Sequence, residues 1–437
     1  MEQRDVTGWA PSGGMLAVEL SGPIPSIAAS RVEEAAGSHF SILVTLHGCP
    51  LAMTQVAAPP TGVSAEQLAT ILWRLPEIAD HLRGDGLVVP DRLPVGGLDA
   101  VPSPPCLARR RRAMADAPSF TVLVATRDRT ESLLRCLTSV AALDYPDFDV
   151  VVVDSAPSTD TTRRALEQMA GRVGRARLSY VHESLPGLAR AHAAGLAAVT
   201  GAWVAITDDD VVVDPHWLAS LAEAITWDHD IACVTGLILP AELLTPAQSL
   251  LEQYGGFARG FVPRLFDEQG NRPIDPLFPL TAGRFGSGAN MAYRVDALRA
   301  AGGFDPALGA GTPARGGDDL AGFLRVIRRG HTLAYQPSAI IWHHHRREYD
   351  GLRRQARHYG VGLGAYLTDA IVREPRLGVL LGRRSIAAVA HQFGSASPKN
   401  SSKRAGFPKE LERAERLGIL LGPFAYVRSR LALRGAR

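Results

Sequence analysis

The sequence contains little cysteine, and its cysteines lie far apart. Four are present in 437 residues, and no two form a C-x-x-C pair; they are Cys49, Cys106, Cys136 and Cys233. Zinc sites and disulfide frameworks place cysteines at short, repeated spacings, so this pattern argues against both. We therefore expect reduced thiols with separate roles, as in a cytosolic protein.

Long uncharged apolar runs are also missing, and none reaches the roughly 18 residues of a membrane-spanning helix. The first residues, "MEQRDVTGWAPSGGMLAVEL", lack the basic-then-apolar order of a signal peptide. We therefore expect a cytoplasmic protein. The net charge of +3 is too small to indicate a nucleic-acid partner, and none is predicted. With 46% hydrophobic and 21% charged residues, the chain is typical of a globular protein of two or three domains.

Residues 1–100 are predicted to form a small α+β module of unknown role. The segment "FSILVTLHGCPLAMTQV" is typical of one or two strands, and Ser64 is placed to cap a following helix. Residues 101–117 are rich in proline and arginine, which predicts an exposed linker with a solvated block at 109–112. No catalytic cluster is visible in either segment.

From Phe120 onward, apolar strands alternate with amphipathic helices. The strands are "FTVLVAT", "FDVVVVDS", "LSYVHES" and "AWVAITDDD". Uninterrupted apolar strands separated by helices predict an α/β fold with a mostly parallel sheet flanked by helices. Ligands of such sheets bind beyond the carboxyl ends of the strands, where this chain places polar residues.

The last of these strands ends in three consecutive acids, Asp208, Asp209 and Asp210. A buried strand that ends in three negative charges needs something to neutralise them. Hard carboxylate oxygens suit Mg²⁺ or Mn²⁺, which keep open positions for substrate phosphates. The alternative is a surface loop whose acids are simply hydrated.

Several further motifs follow in one order along the chain. They are "FTVLVATRDRTESLLRCLTSV", "VVVVDSAPSTDTT", "GLARAHAAGL", "AWVAITDDDVVVDPHWL", "GSGANMAYRVDAL", "GGFDPALG" and "GGDDLAGFLRVIRRGHTLAYQPSAIIWHHH". Together they resemble a family 2 glycosyltransferase with a GT-A fold, which binds a nucleotide-diphospho-sugar. The resemblance covers a predicted catalytic domain at 118–368. It says little about 1–110 or about 369–437.

The resemblance implies a donor site built from several strand tips. Thr126, Arg127 and Asp154 stand where such enzymes hold the base and ribose of the nucleotide. Arg190 stands where a basic residue commonly meets the diphosphate, and a plain helix-surface charge is its alternative. Asn290, after a glycine-rich segment, would add a polar group beside the donor sugar.

The resemblance also implies a divalent-metal site, for Mn²⁺ or Mg²⁺. Asp210 is the expected direct ligand, and Asp208 is expected to contact either the metal or the ribose. Asp209, between them, belongs to the donor-binding set. His343 stands where relatives often complete the metal shell. Because side chains alternate along an extended chain, His343 and His345 are predicted to share a face opposite His344.

A second acidic pair, Asp318 and Asp319, precedes an amphipathic helix. It resembles the catalytic acidic motif of the family, in which one carboxylate takes the proton from the acceptor hydroxyl. Asp319 is our first choice for this base and Asp318 the second. A single base with direct displacement implies inversion at the anomeric carbon. Acids at a helix N-terminus are also stabilised by its dipole, so a capping role is the alternative.

The implied activity is that of an inverting, metal-dependent hexosyltransferase in glycan, cell-envelope or glycoconjugate biosynthesis. A single addition per encounter is expected, because the longer signature of processive members is absent. The alternatives are a sugar nucleotidyltransferase, whose Gly-rich basic loop "ATRDRTESLL" lacks, and a silent scaffold, against which the intact acids argue. The acceptor is unknown, and lipid-linked and polysaccharide acceptors both stay open.

Residues 369–437 are predicted to be a helical, basic extension. Apolar stripes with arginine flanks are typical of helices that lie on an anionic membrane. Packing against the catalytic domain is the other interpretation. The first would make the protein peripheral at the inner face of the membrane.

Overall fold

A computed structural model describes residues 10–35, 39–98, 104–254, 256–387 and 407–435. The N-terminal elements are strands β1 Ser12–Gly13, β2 Met15–Glu19, β3 His39–Leu46 and β4 Cys49–Ala57, and helices α1 Ala29–Glu34, α2 Ala65–Leu72 and α3 Pro76–Gly84. The remaining strands are β5 Phe120–Thr126, β6 Phe148–Ser155, β7 Arg172–Val173, β8 Ala176–Glu183, β9 Trp203–Asp208, β10 Val211–Val213, β11 Ile231–Pro240, β12 Glu242–Leu243, β13 Arg264–Phe266, β14 Asn290–Arg294 and β15 Thr332–His343.

Eleven further helices complete the described fold. They are α4 Pro105–Ala115, α5 Thr130–Ala141, α6 Thr161–Glu167, α7 Leu188–Ala197, α8 Trp217–Ile225, α9 Pro246–Gln253, α10 Val295–Ala300, α11 Asp318–Arg328, α12 Tyr349–Arg373, α13 Pro375–Arg383 and α14 Lys409–Gly435. None of these described helices combines the length and the apolarity that a bilayer crossing requires.

The N-terminal residues form the predicted α+β unit. Strand β2 pairs parallel with β3, and β3 pairs antiparallel with β4. Ser64 accepts a hydrogen bond from the backbone of Gln67, whose side chain accepts one in return, so α2 begins where the sequence predicts. Phe40, Ile42 and Leu68 are among the side chains that fill a separate small core.

The segment expected to be an exposed linker contains helix α4, which packs on α8. Arg110 is buried, and its guanidinium lies 3.4 Å from the carbonyl oxygen of His47. Arg109 forms a 3.4 Å ion pair with Glu223 of α8. The prediction of a wholly solvated arginine block is therefore wrong. Arg109 faces a carboxylate and Arg110 faces a carbonyl oxygen, both on neighbouring elements.

The contact between α4 and the N-terminal unit also corrects the expectation that every cysteine has a separate role. Cys106 of α4 lies 3.5 Å from the ring of His47, measured from sulfur to Nδ1. Cys49 neighbours Cys106, and their interaction raises the pKa of Cys49 and lowers that of Cys106. The two thiols, 57 positions apart in sequence, meet because the β3–β4 hairpin turns toward α4. Cys136 and Cys233 are buried in the catalytic core.

A ten-stranded sheet forms the centre of the predicted catalytic domain. Its order is β10-β15-β11-β14-β9-β5-β6-β8-β7, with β13 beside β15. Strands β9, β5, β6 and β8 are parallel, as predicted. Helices cover both faces, since Leu123 and Val122 contribute to different clusters of the core. The α/β fold class is confirmed, together with the helical C-terminal segment.

Strand β14 runs antiparallel to both of its neighbours, which the strand pattern did not predict. Its first residue, Asn290, pairs with Thr207 near the end of β9. The chain therefore enters β14 from the carboxyl edge of the parallel strands, without a crossover helix. This entry brings the loop 286–289 to the edge of the sheet that carries the acidic triplet.

The C-terminal helix α14 packs closely along α12. A Cβ atom added at Gly364 would lie 2.3 Å from the carbonyl oxygen of Ile419, and one at Gly418 would lie 2.4 Å from that of Arg357. Only glycine allows this backbone approach. Tyr426 donates a 2.8 Å hydrogen bond to the buried carboxylate of Asp369. One face of the extension therefore packs on the catalytic domain.

Candidate active site

The carboxyl ends of the parallel strands converge as the sheet predicts. Register pairs Thr126 of β5 with Asp154 of β6, and Ala125 with Asp208 of β9. The hydroxyl of Thr126 donates a 2.7 Å hydrogen bond to Oδ2 of Asp209. Residues 83 positions apart in sequence therefore form one polar edge.

Arg129 provides the positive charge that the acidic triplet requires. Its Nη1 lies 2.8 Å from Oδ1 of Asp209, and its Nη2 lies 2.6 Å from Oδ2 of Asp210. The sequence interpretation selected Arg127, which also lines the site but lies nearest to Asp128, at 3.9 Å. The sequence feature that could have identified Arg129 is its place at the start of α5, two residues after Arg127.

The three acids have different electrostatic environments. Burial raises the pKa of Asp209 to about 6, and burial together with the charge of Asp210 raises that of Asp208 to about 7. Burial alone would also raise the pKa of Asp210, but His343 and Arg129 outweigh it and hold this pKa well below its usual range. Asp210 is therefore the acid most strongly held as a carboxylate.

His343 completes a group that fits a divalent cation. Its Nε2 lies 3.2 Å from Oδ1 of Asp210 and 4.0 Å from Oδ2 of Asp208. One donor atom from each of the three residues lies within 4.8 Å of the other two. Register explains the position, because His343 pairs with Val211, directly after the triplet. Two carboxylates and an imidazole are a suitable donor set for Mn²⁺ or Mg²⁺.

A second pair of residues orients His343 from behind. Its Nδ1 lies 3.1 Å from Nδ1 of the buried His345, whose Nε2 lies 2.9 Å from Oε1 of Glu252. His343 and His345 share a side of the chain as predicted, while His344 faces Glu242 at 3.9 Å. Sequence reasoning missed Glu252, which lies on α9, 93 positions before His345. Such outer partners fix the ring orientation of a metal-binding histidine.

Asp319 lies in the wall of the same cavity, at the start of α11. Its Oδ2 accepts a 2.9 Å hydrogen bond from the backbone of Gly288, and its Oδ1 accepts one from Leu320 at 2.8 Å. Burial and the neighbouring charge of Asp318 raise the pKa of Asp319 to about 6. A carboxylate with this pKa can accept a proton near neutral pH. The N-cap of α11 is Gly317 and no described side chain caps this helix, so the structure does not show the capping role of the alternative interpretation.

Asp318 faces a different partner. It is buried, and its Oδ2 lies 3.6 Å from Nδ1 of the buried His192. Within the described part of the chain, neither ring nitrogen of His192 has a hydrogen-bond partner. Both residues line the cavity. Asp318 therefore contributes charge beside Asp319 and forms a pair that sequence reasoning did not identify.

Three predicted donor-binding residues do not line the cavity, namely Asn290, Arg190 and Asp154. Asn290 is completely buried, donates to the carbonyls of Leu237 and Ala339 at 3.0 and 2.8 Å, and accepts from the indole of Trp217 at 2.8 Å. Its side chain is fully used in holding the sheet together, so the expected contact with the donor is wrong.

Asp154 lies at the end of β6 as expected, but below the surface. Its Oδ2 accepts a hydrogen bond from Tyr180 at 3.2 Å, and burial raises its pKa. Its Oδ1 is buried and has no hydrogen-bond partner among the described residues. The adjacent Ser155 lines the cavity. Asp154 itself is completely buried behind this lining, so the structure does not expose it for the predicted contact with a nucleotide.

One continuous cavity of about 2270 Å³ joins these groups. It is larger than the usual 300–1,000 Å³ of a single small-molecule site. Both acidic clusters line it, as do arginines at several positions: Arg127, Arg129, Arg259, Arg284, Arg315, Arg346 and Arg354. The arrangement can bind a polyanion with a metal ion at one wall and place a second molecule near Asp319 at another.

Known proteins with this sequence pattern are glycosyltransferases. Residues 117–360 match the family described as "Glycosyltransferase like family 2". The pre-mycofactocin glycosyltransferase of Mycobacterium tuberculosis is 28% identical over 241 residues, which cover 55% of this chain and 46% of that protein. The O-antigen biosynthesis protein RfbC of Myxococcus xanthus is 31% identical over 116 residues, covering 26% of this chain and 9% of that one. The chain thus spans less than half the length of these relatives.

One solved structure is a distant match. A mannosyltransferase from Pyrobaculum calidifontis, in complex with GDP-Man and Mn²⁺, superposes with a TM-score of 0.43 at 20% identity. The match covers 75% of this chain and 93% of that one.

Proposed function

Because the chain belongs to the glycosyltransferase-like family 2, we propose that it is a metal-dependent, inverting glycosyltransferase. It would move a hexose from a nucleotide-diphospho-sugar to an acceptor hydroxyl. The observation that carries the proposal is the shared cavity of two acidic clusters. Asp208, Asp210 and His343 form a metal-binding group at one wall, and Asp319 lies at another with a raised pKa.

The donor half of the site would bind the nucleotide and its phosphates. Asp208, Asp210 and His343 would hold Mn²⁺ or Mg²⁺, which when bound supplies positive charge for the diphosphate leaving group. Thr126 and Arg127, which line the cavity, would hold the base and ribose, and Arg129 supports the acids from the side. Arg190 lies outside the cavity lining, so a contact with the diphosphate is not carried forward for it.

The acceptor half would use Asp319 as the base. Its carboxylate would take the proton of the acceptor hydroxyl as the hydroxyl oxygen attacks the anomeric carbon. Gly288 orients this carboxylate through its backbone N–H, so the glycine-rich loop supports the base and is not reserved for the donor. Displacement in one step by one base gives inversion at that carbon. We propose one addition per encounter, in glycan, cell-envelope or glycoconjugate biosynthesis.

We also propose that the enzyme works as a peripheral protein at the inner face of a membrane. An exposed apolar row, which we call the outer stripe, follows one face of α14: Leu417, Leu420, Phe424, Val427 and Leu431. Exposed arginines at 413, 428 and 434 flank it. This combination favours an anionic lipid surface.

A donor panel tests the proposed activity. Full-length protein with Mn²⁺ is supplied with common nucleotide-sugars and mixed acceptors, and released nucleoside diphosphate is measured. We expect release by wild type and a loss of roughly 10²–10⁴-fold in Asp319→Asn, the usual contribution of a general base. Thermal shifts with nucleoside diphosphates should persist in that variant, because its donor half is unchanged. Release of pyrophosphate would instead indicate a nucleotidyltransferase, and no turnover in wild type would indicate a scaffold.

A further inference from the structure

The cavity continues past the acidic clusters into an apolar region. Helix α12 runs along its wall, and α13 and α14 close the other sides. The far end, which we call the apolar arm, is lined by Leu363, Leu367, Leu381, Gly382, Ile419 and Leu420. None of the chemistry proposed for sugar transfer uses these side chains.

Charge changes along the length of α12. Near its start, the cavity wall carries Arg346, Arg354 and His358, and Arg315 faces them. Leu367 follows Arg354 by 13 positions, which corresponds to about 20 Å at the α-helical rise of about 1.5 Å per residue. The cavity thus has a cationic part near the acids and an aliphatic part further away. These two parts are complementary to an amphiphile that has an anionic or hydroxylated head and a hydrocarbon chain.

The apolar arm opens at the protein surface. Leu420 lines the arm and also belongs to the outer stripe, where 71% of it is exposed. Gly382 lines the arm, and a Cβ atom added there would have no neighbour within 4 Å among the residues that the structure describes. A chain held in the arm can therefore reach the exposed face that carries the outer stripe, although Ser385, Glu415 and Arg416 also line the cavity.

We propose that the apolar arm binds the hydrocarbon chain of an amphiphilic, lipid-anchored acceptor. The chain would lie between α12, α13 and α14 while the polar head reaches the region of Asp319. Transfer of the chain from water into an aliphatic channel is favoured in proportion to the apolar surface buried. The proposal rests on the proposed function, and it selects the lipid-linked class of acceptor over a polysaccharide.

Two alkyl phosphates of different length test the arm. Dodecyl phosphate, below its micellar concentration, and butyl phosphate are titrated calorimetrically into the full chain without metal. We expect wild type to bind the longer compound roughly tenfold or more tightly, because additional methylenes are buried. Gly382→Phe should remove this preference by filling the arm. Gly84→Phe is the matched control, since Gly84 also ends a helix and has open space around it.

The outcomes separate this proposal from the proposed function. Equal affinity for both compounds in wild type, or a preference that survives Gly382→Phe, would overturn the apolar arm as the binding site. Leu420→Asp, at the exposed mouth, gives a second test should Gly382→Phe fold poorly, and it should also weaken the preference. Release of nucleoside diphosphate is measured in parallel. Chain preference without donor turnover would overturn the transferase proposal and leave the arm intact.

Discussion

The guanidinium of Arg129 lies 2.6 Å from Oδ2 of Asp210, opposite His343, whose ring lies 3.2 Å from Oδ1 of the same carboxylate. Asp210 thus lies between a guanidinium and an imidazole, and these two contacts explain how three adjacent acids can end a buried strand. A divalent cation and Arg129 would act on the same triplet. The ion pair of Arg129 with Asp210 therefore links the stability of the protein to its metal affinity.

Replacing Arg129 by Met should lower the melting temperature and enlarge the shift that Mn²⁺ produces. Without the guanidinium, repulsion among the acids is compensated only by a bound cation. Arg129 is half exposed, so the expected loss without metal is about 1 kcal/mol. Differential scanning fluorimetry with and without Mn²⁺ measures both effects. Arg135→Met is the control, because Arg135 lies on the same helix and pairs at an exposed position with Glu131 and Ser132. An unchanged Mn²⁺ shift would refute the coupling.

The turnover rate should rise with pH through about 6, the pKa of Asp319. The carboxylate form is the active base, so below this pKa the rate should fall about tenfold per pH unit. The rate is measured at saturating donor and Mn²⁺, which keeps the metal site occupied.

Asp318→Asn tests the assignment of this titration to Asp319, because the direction of the expected pKa change is known. The negative charge of Asp318 helps to raise the pKa of Asp319, so its removal should move the acid limb to lower pH. Asp318→Asn should therefore be relatively more active than wild type at pH 5. If the acid limb of the pH–rate profile stays at the same pH or moves to higher pH, the titrating group is not Asp319.

Substitution of Glu252 by Gln should weaken Mn²⁺ binding by roughly 10- to 100-fold, the usual effect of losing an outer partner of a metal ligand. Glu252 acts on His343 only through His345, so its role is to position the ring. Isothermal titration with Mn²⁺ and nucleoside diphosphate measures the change. His344→Gln, on the other side of the chain, should have little effect. Equal losses in both variants would show a general disturbance of β15.

Phe424→Asp should detach the protein from anionic vesicles. Phe424 is 75% exposed on the outer stripe, and its replacement adds a negative charge to an apolar face. Co-sedimentation is measured with vesicles of 30% phosphatidylglycerol in phosphatidylcholine. We expect a roughly tenfold loss of binding, while Val88→Asp, at a residue that is 89% exposed in the N-terminal part, should bind normally. If wild type does not bind, or if Phe424→Asp instead converts a dimer to a monomer, the stripe is not a lipid surface.

The local sequence pattern alone determined the fold class and the ligand-binding edge of the sheet. Apolar strands that alternate with helices specify the parallel sheet, because each strand must be covered on both faces. The polar tips of those strands then identify the edge that binds ligands. Asp208 and Asp210 could be selected in this way, because they follow directly on a buried strand, whereas His343 and Asp319 were selected through the resemblance to the family.

Tertiary structure decided which side chains meet. Arg129 reaches Asp210 across 81 positions and Glu252 reaches His345 across 93, and no local spacing encodes either contact. Asn290 looked available to a ligand, yet the antiparallel entry of β14 turns it into the sheet, where three hydrogen bonds hold it. The extension showed one amphipathic pattern in sequence. Only packing revealed that the glycines of α14 contact α12 while the outer stripe stays exposed, because backbone approach requires the glycine face to turn inward.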